Sequence, residues 1–410
     1  MSLSSALSYN MKPPAVASRS IRSSVNPING TTFSSENNAV IRCDIPLGIM
    51  GQYLNTGQSY VKLKVRSSGV AALDQSVYSL FSKFEIYHNG VLLESINEFG
   101  ALANALLDLQ TNTVMRESDL NLMLGTNIDP SDPTDYHKGV QFATGGESDE
   151  KTFCFPIVSG IVGPQQDKYF PIGACTGDLR LEWTLNKYGI VCDAANSDGS
   201  FSIHDFELML DIVELDASVA RQIHAANGGE YKIAAESWRN FNSTIGANNT
   251  SASVLIPAKF SSLKNLLVLN RDQQWVTEKT QRSVSLRTGG TDFKSVQFRV
   301  GSNFVPQKPI TDLTESYVET LKSMHNLGVG SSSVIDKADL QAMSYMQGIE
   351  LESLSHRSGV LQSGINTTSI LLYYEPVFSS PIPYSRRVDS YAHYDMLVHI
   401  DGAGQCSVMF

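Results

Sequence analysis

Two stretches of the chain pass through the same unusual order of strand, tight turn, extended segment and helix. One is FEIYHNGVLLESINEFGALANALLDL from residue 84, the other QFRVGSNFVPQKPITDLTESYVETLKSM from residue 297, an offset of 213. Further matches keep that order. CDIPLG, with Ile45-Pro46, corresponds to LIPAKF, with Ile256-Pro257, at an offset of 211. PIGACTGDLRLEW from Pro171 corresponds to SGINTTSILLYY and aligns Gly173 with Gly364 at an offset of 191. A period near 200 residues with two copies is too long for a solenoid. It reads as one β-rich domain duplicated in tandem, with a helix at a fixed point in each copy. The drop in offset from 213 to 191 puts 22 extra residues in the first half. They fall in roughly 111–152, where DPSDPTDYHKG and TGGESDEK mark exposed loop.

Between these landmarks the dominant pattern has period two. Val61, Leu63 and Val65 alternate with Lys62, Lys64 and Arg66; Leu179, Leu181, Trp183 and Leu185 alternate with Arg180, Glu182 and Thr184. Phe206, Leu208, Leu210 and Ile212 repeat the pattern, as do Val296, Phe298 and Val300. Such segments are half-buried strands with one face on a core, and many of them between Gly, Pro, Asn and Ser clusters predict sandwiches or barrels. Trp183, Phe206 and Phe298 are the expected core anchors. Asn89-Gly90 predicts a tight hairpin, because both residues tolerate positive φ, and Ser302-Asn303 stands at the equivalent place. Helical spacing covers Phe99, Leu102, Leu106 and Leu109 after a cap at Asn97. It also covers Leu313, Tyr317, Leu321 and Met324 after Thr311 or Asp312, with Asp312 and Glu315 resembling a capping box. A third helical piece spans Ala217 to Ala226, before Gly228-Gly229. The expected division is a flexible arm over 1–35, a first domain over 36–217, a linker over 218–229 and a second domain over 230–410.

The chemistry-bearing patterns are sparse. Phosphate-cradling glycine loops, a nucleophile elbow and helical metal-binding histidine pairs are absent. The tail DSYAHYDMLVHID holds His393, Asp395, His399 and Asp401; His399 and Asp401 would share one strand face, which reads as a polar face before it reads as a metal site. Asp129, Asp132 and Asp135 recur around prolines and could offer hard oxygen ligands to calcium, though a solvated acidic turn has the same composition. The DAANSDGS loop over 193–200 has Ala195 where a calcium loop needs an oxygen. The five cysteines, Cys43, Cys154, Cys175, Cys192 and Cys406, are widely spaced and odd in number, which predicts free and mostly buried thiols. No catalytic, cofactor or metal residue is therefore assigned. No apolar run approaches 18 residues, and the opening MSLSSALSYNMKPP has no secretion pattern. A net charge of −10 excludes a generic nucleic-acid binder. The exception is local: through Ser35 the chain carries Lys12, Arg19 and Arg22 and no acid. A charged fraction of 18%, below the usual ~25%, with Ser, Asn, Thr and Gln filling the gap, suits a surface used for contacts with other proteins.

The run FPIVSGIVGPQQDKYFPIGACTGDLRLEWTLNKYG (155–189) resembles a motif of double jelly-roll major capsid proteins, the shell proteins of the tectivirus–adenovirus lineage that includes polinton-like viruses, virophages and many large DNA viruses. In the second half SSLKNLLVLNRD (261–272), QFRVGSNFVPQKPI (297–310) and SGVLQSGINTTS (358–369) are similar to the same family. The resemblance implies an all-β chain of two tandem eight-stranded jelly rolls, each with an inserted helix. It also implies a homotrimer that tiles a virion shell as a pseudo-hexagon, with minor capsid, cement and penton proteins as neighbours, synthesis in the host cytoplasm, and no cofactor or small-molecule substrate. By that analogy the arm faces the interior, where Lys12, Arg19 and Arg22 would meet an inner membrane or the genome, and the insertion lies among the loops of an outer crown. Two other readings compete: a duplicated β-sandwich that binds or hydrolyses carbohydrate, and a minor vertex or cement protein of a virion.

Overall fold

The computed structural model describes residues 16–127, 137–144, 146–192, 197–327, 333–335, 337–352 and 362–410. Its principal strands fall into two sets of eight. In the first, β1 is Ser18–Val25, β2 Val40–Ile45, β3 Tyr60–Ser67, β4 Phe81–His88, β5 Val91–Asn97, β6 Lys151–Phe155, β7 Leu179–Leu185 and β8 Phe201–Leu215. In the second, β9 is Tyr231–Ile245, β10 Val254–Ile256, β11 Leu263–Asp272, β12 Phe293–Val300, β13 Asn303–Ile310, β14 Met346–Glu350, β15 Leu372–Phe378 and β16 Arg386–Ile400. Within each set the first strand pairs with the eighth, the second with the seventh, the third with the sixth and the fourth with the fifth, all antiparallel. The nested pairs close into two sheets per set, β1-β8-β3-β6 with β2-β7-β4-β5 and β9-β16-β11-β14 with β10-β15-β12-β13. That is an eight-stranded jelly roll made twice.

The alternating residues face the core as their period requires. Leu179, Leu181, Trp183 and Leu185 of β7 are buried, and the Trp183 ring lies 5.2 Å from those of Phe84 and Phe206. Phe298 is buried in the second roll against Tyr374, 5.5 Å between ring centroids. In β8 the buried phase changes from Phe201 and Ile203 to Phe206, Leu208 and Leu210. The shift falls at a bulge where Asp205 takes a φ of 47°, and the added residue turns the second half of the strand back onto the core.

Helix α1 (Phe99–Gln110) and helix α3 (Leu313–Ser323) each join the fifth strand of a roll to its sixth, while α2 (Ala217–Ala226) links the rolls. The first hairpin turns at Asn89 and Gly90, both at positive φ. In the second roll the turn falls on Gly301-Ser302, one residue earlier than predicted, and Asn303 already pairs with Val300. Asp312 caps α3 by accepting the Thr314 amide at 2.7 Å. Asn97, by contrast, ends β5, and Glu98 holds the cap position of α1 in the left-handed region with no side-chain cap bond. The most buried face of α3 is Ser316, Thr320 and Ser323. These small side chains let it lie so close to β14 that a Cβ on Gly348 would stand 2.8 Å from the Thr320 Cα.

The predicted arm also changes. Residues 18–25 are β1, laddered along Leu208–Leu215 of β8, and Thr32–Ser34 pairs with the start of the same strand, so an arm over 1–35 is too long. SRSIRSSV offers only two apolar side chains, so period two is nearly invisible there; backbone bonding to the open edge of β8 orders the segment.

Among the described residues no strand of one roll pairs with a strand of the other. Buried carboxylates of the first roll, held by donors of the second, join them. Asp108 of α1 accepts from Arg116 at 2.6 Å, from Gln75 at 2.6 Å and from Arg287 of the second roll. Burial alone would raise its pKa, but the Arg287 and Arg116 guanidiniums outweigh that and hold it below the usual carboxylate range. Glu98 is bridged to Arg271 at 2.6 Å and Arg387 at 2.8 Å, and both arginines also bind Asp389. It is likewise lowered, its burial offset by the two guanidiniums. The cap position left unfilled by Asn97 thus frees the Glu98 carboxylate for the other roll. Asp74 accepts the Val284 amide at 2.6 Å and the Ser285 hydroxyl, and burial raises its pKa to about 6 against those bonds. Glu94 takes the hydroxyls of Ser159 and of Ser237 on β9.

Replacing Asp108 with Asn removes the buried negative charge that faces the Arg287 and Arg116 guanidiniums and should cost about 3–5 kcal/mol, read from urea unfolding at neutral pH. Because the folded-state pKa of Asp108 is depressed, its contribution is present above the ordinary carboxylate range and is lost as pH falls through the folded value. The gap between wild type and D108N should therefore shrink in acid, and a gap that stays constant would contradict the charge-based account.

Candidate assembly surfaces

The exposed features of the rolls are edges, apolar turns and a basic strand. Arg19 on β1 grips both carboxylate oxygens of Glu214 at 2.9 and 3.0 Å, and Ser20 donates to Asp211 at 2.5 Å. Arg22 bonds the Tyr60 hydroxyl and sits over its ring, 5.5 Å from the centroid. The two arginines expected on a flexible arm are thus tied to residues of one sheet, from opposite faces of β1, while Lys12 lies outside the described residues.

Two groups of large apolar side chains face outward. One is the turn after β2, with Leu47, Ile49 (74% exposed) and Met50. The other lies on a pair of short helices in the first-roll insertion, Thr113–Glu117 and Asp119–Leu124, which pack on each other and expose Val114, Met115, Leu122 (80% exposed) and Met123. This second patch is held rigidly from beneath, since Arg116, fully buried, bonds Thr111 and Asp108. Contiguous outward apolar groups on an anchored support are typical of contact surfaces. The edge strands are guarded in different ways: β13 carries Pro306 and Pro309, which cannot donate to a further ladder, whereas β5 leaves Val91 and Leu92 exposed.

Several titratable residues of the second roll are linked to one another. Lys264 lies 2.5 Å from Glu236 and 3.4 Å from Glu352; His325 reaches Glu352 at 3.1 Å and His393 reaches Glu236 at 3.3 Å. His393 stacks on Trp238 at 4.3 Å, and burial lowers its pKa to about 4, so it is neutral at physiological pH. Asp395 accepts the Ser262 hydroxyl at 2.5 Å, with its pKa raised by burial. The other half of the tail lies apart. His399 bonds Glu230 at 3.1 Å, and Asp401 receives the amides of Ala403 and Gln405 at 2.9 and 2.8 Å, so these two serve a strand end and a turn. Asp129, Asp132 and Asp135 lie outside the described residues, as do 193–196 of the DAANSDGS loop. Two surface depressions stand out, lined by Arg22, Tyr60 and Asp211 and by Asp44, Tyr87, Arg180 and Glu182, and neither contains the histidine and acid network. Sequence spacing could not reveal two groups that folding assembles, His88 with Cys175 and Cys406, and His325 with Glu350 and Glu352.

No protein-family model matches the sequence, and no curated protein does. Solved structures do match along nearly the whole chain. VP54 of the virus PBCV-1, fitted into a reconstruction of the virophage Sputnik, superposes with a TM-score of 0.67 at 10% identity, covering 98% of each chain. The Faustovirus major capsid protein gives a TM-score of 0.61 at 8% identity over 95% of this chain and 92% of its own. A cryo-EM structure of the Sputnik virophage gives 0.60 at 9% over 100% and 92%. With so few shared residues, the likeness lies in the path of the backbone, and it runs along nearly the whole chain. The chain is a double jelly roll, built on the plan of the viral capsid proteins it is similar to.

Proposed function

We propose that the chain is the major capsid protein of a DNA virus, a structural protein without catalytic activity that assembles as a homotrimer and then as an icosahedral shell. The observation that carries this reading is the repetition of one eight-stranded roll, joined by a buried ionic seam, over the length of the capsid proteins it superposes on. Three copies of a two-roll chain place six similar barrels around one axis, so a threefold object presents six comparable sides to its neighbours. A rigid seam is what such a tile needs, because a hinge between its rolls would blur the corners.

In this assignment the outward apolar turns, Leu47 to Met50 and the helices bearing Val114 and Leu122, meet other copies of the chain, and minor capsid, cement and penton proteins fill the remaining edges. The basic N-terminal end, with Lys12, Arg19 and Arg22, faces the interior toward an inner membrane or the genome. The first roll spans 36–217 together with β1, the connector spans 218–229, and the second roll spans 230–410. The protein is made in the host cytoplasm and resides in the virion.

Purified protein should sediment as a trimer at micromolar concentration; a stable monomer there would sink the capsomer reading. Leu122→Asp, at an exposed position, should leave the unfolding free energy from urea titration within about 0.5 kcal/mol of wild type yet reduce trimer or shell formation. Unchanged assembly of L122D by electron microscopy would remove that patch from the contacts. Deleting residues 1–15 should spare the trimer and impair shell assembly, whereas normal shells from the shortened chain would free the N-terminal end of any role.

A further inference from the structure

His88 ends β4, Cys175 lies in the segment leading to β7, and Cys406 opens the strand Cys406–Met409 that pairs with β16. The three come from both rolls and meet at one point: a histidine nitrogen and both sulfurs lie within 4.8 Å of one another, and the sulfurs are 3.8 Å apart. Two sulfurs each bonded to zinc at about 2.3 Å in a tetrahedral arrangement are separated by about 3.8 Å. The His88 ring is fully buried. Its Nδ1 receives a long contact, 3.3 Å, from the Cys406 amide; the Gly177 backbone lies beside the ring, and Nε2 makes no hydrogen bond of normal geometry. With Nδ1 accepting, the proton of the neutral ring sits on Nε2, so the lone pair open to a cation is that of Nδ1, held otherwise by one long contact.

The surroundings are already fastened. The Thr176 amide donates to the Gly404 carbonyl at 3.0 Å, the Gln405 side chain donates to Thr176 at 2.7 Å, and Asn89 donates to Gln405 at 3.0 Å. Gly404 has a φ of +78°, and a Cβ there would come within 2.7 Å of the Ala174 carbonyl, so the turn reaches the cysteine loop only with glycine. Asp178 beside His88 and Asp401 beside Cys406 add negative charge around the cluster.

We propose that His88, Cys175 and Cys406 form a binding site for one thiophilic divalent cation of the zinc type, which ties the C-terminal strand of the second roll to the first. Binding releases the two thiol protons, forms two metal–sulfur bonds and one metal–nitrogen bond, and leaves a fourth position to water; no oxidant or reductant takes part. Neutral imidazole and two thiolates are the donor set that favours zinc over calcium or magnesium.

The test uses the full-length protein, reduced, stripped with a chelator and titrated with Co2+. One equivalent should produce a thiolate-to-cobalt charge-transfer band that zinc then bleaches. Cys175→Ser and Cys406→Ser should each lose the band, His88→Asn should weaken cobalt binding at least about tenfold, and Cys154→Ser should keep it. Alkylation of the wild-type protein followed by mass spectrometry keeps the proposal testable should a serine variant fail to fold: zinc should protect Cys175 and Cys406 and leave Cys43, Cys154 and Cys192 as reactive as before. Absence of the band, or protection at other cysteines, would overturn the assignment. So would a Cys175–Cys406 disulfide that forms with oxidised glutathione equally fast with and without zinc, since that would make the pair a redox staple and no metal site.

Discussion

The arrangement of the two rolls depends on a few buried carboxylates. Asp108, Glu98, Glu94 and Asp74 all belong to the first roll, and each is held by donors from the second. Because no sheet of the described residues continues across the boundary, a slippery hydrophobic contact would leave the angle between the rolls poorly defined. Directional bonds to guanidinium, hydroxyl and amide donors define it, since a small rotation would strand charges away from water. Such pairs add little net stability compared with apolar packing, and removing one partner is costly. The molecule gains orientation more than cohesion from them.

The seam also explains why the two inserted helices differ. Helix α1 carries Asp108 and follows Glu98, so it belongs to the junction as much as to its own barrel. Helix α3 packs through Ser316, Thr320 and Ser323 against β14, which makes it an internal brace. The two rolls carry the same element at the same place, and its neighbours differ.

The period-two strands, both hairpin-plus-helix units, the linking helix and the anchors Trp183, Phe206 and Phe298 were legible because each depends on local pattern and one core face. The missed features depend on partners far away in sequence. β1 has too few apolar residues to announce itself and exists because β8 offers an edge. Asn97 has the chemistry of a cap, yet Glu98 takes the position and turns its carboxylate to Arg271. The bulge at Asp205 and the meeting of His88, Cys175 and Cys406 are set by three-dimensional closure, which spacing along the chain does not encode. As for assembly, the basic character of the first 35 residues was visible, whereas the ties of Arg19 to Glu214 and of Arg22 to Tyr60 were not.

The nested pairing of strands has a consequence for how this chain tolerates change. Because the first strand of each roll lies beside its eighth and runs opposite to it, the chain enters and leaves a roll at the same end. A single ten-residue helix can then pass from one roll to the next. Alternation of strand direction puts the link between the fifth and sixth strands at the opposite end. That is where the first roll has taken on its longer insertion, so lengthening that link leaves the junction undisturbed. One end of each barrel is committed to continuity of the chain, and the other is free to diverge.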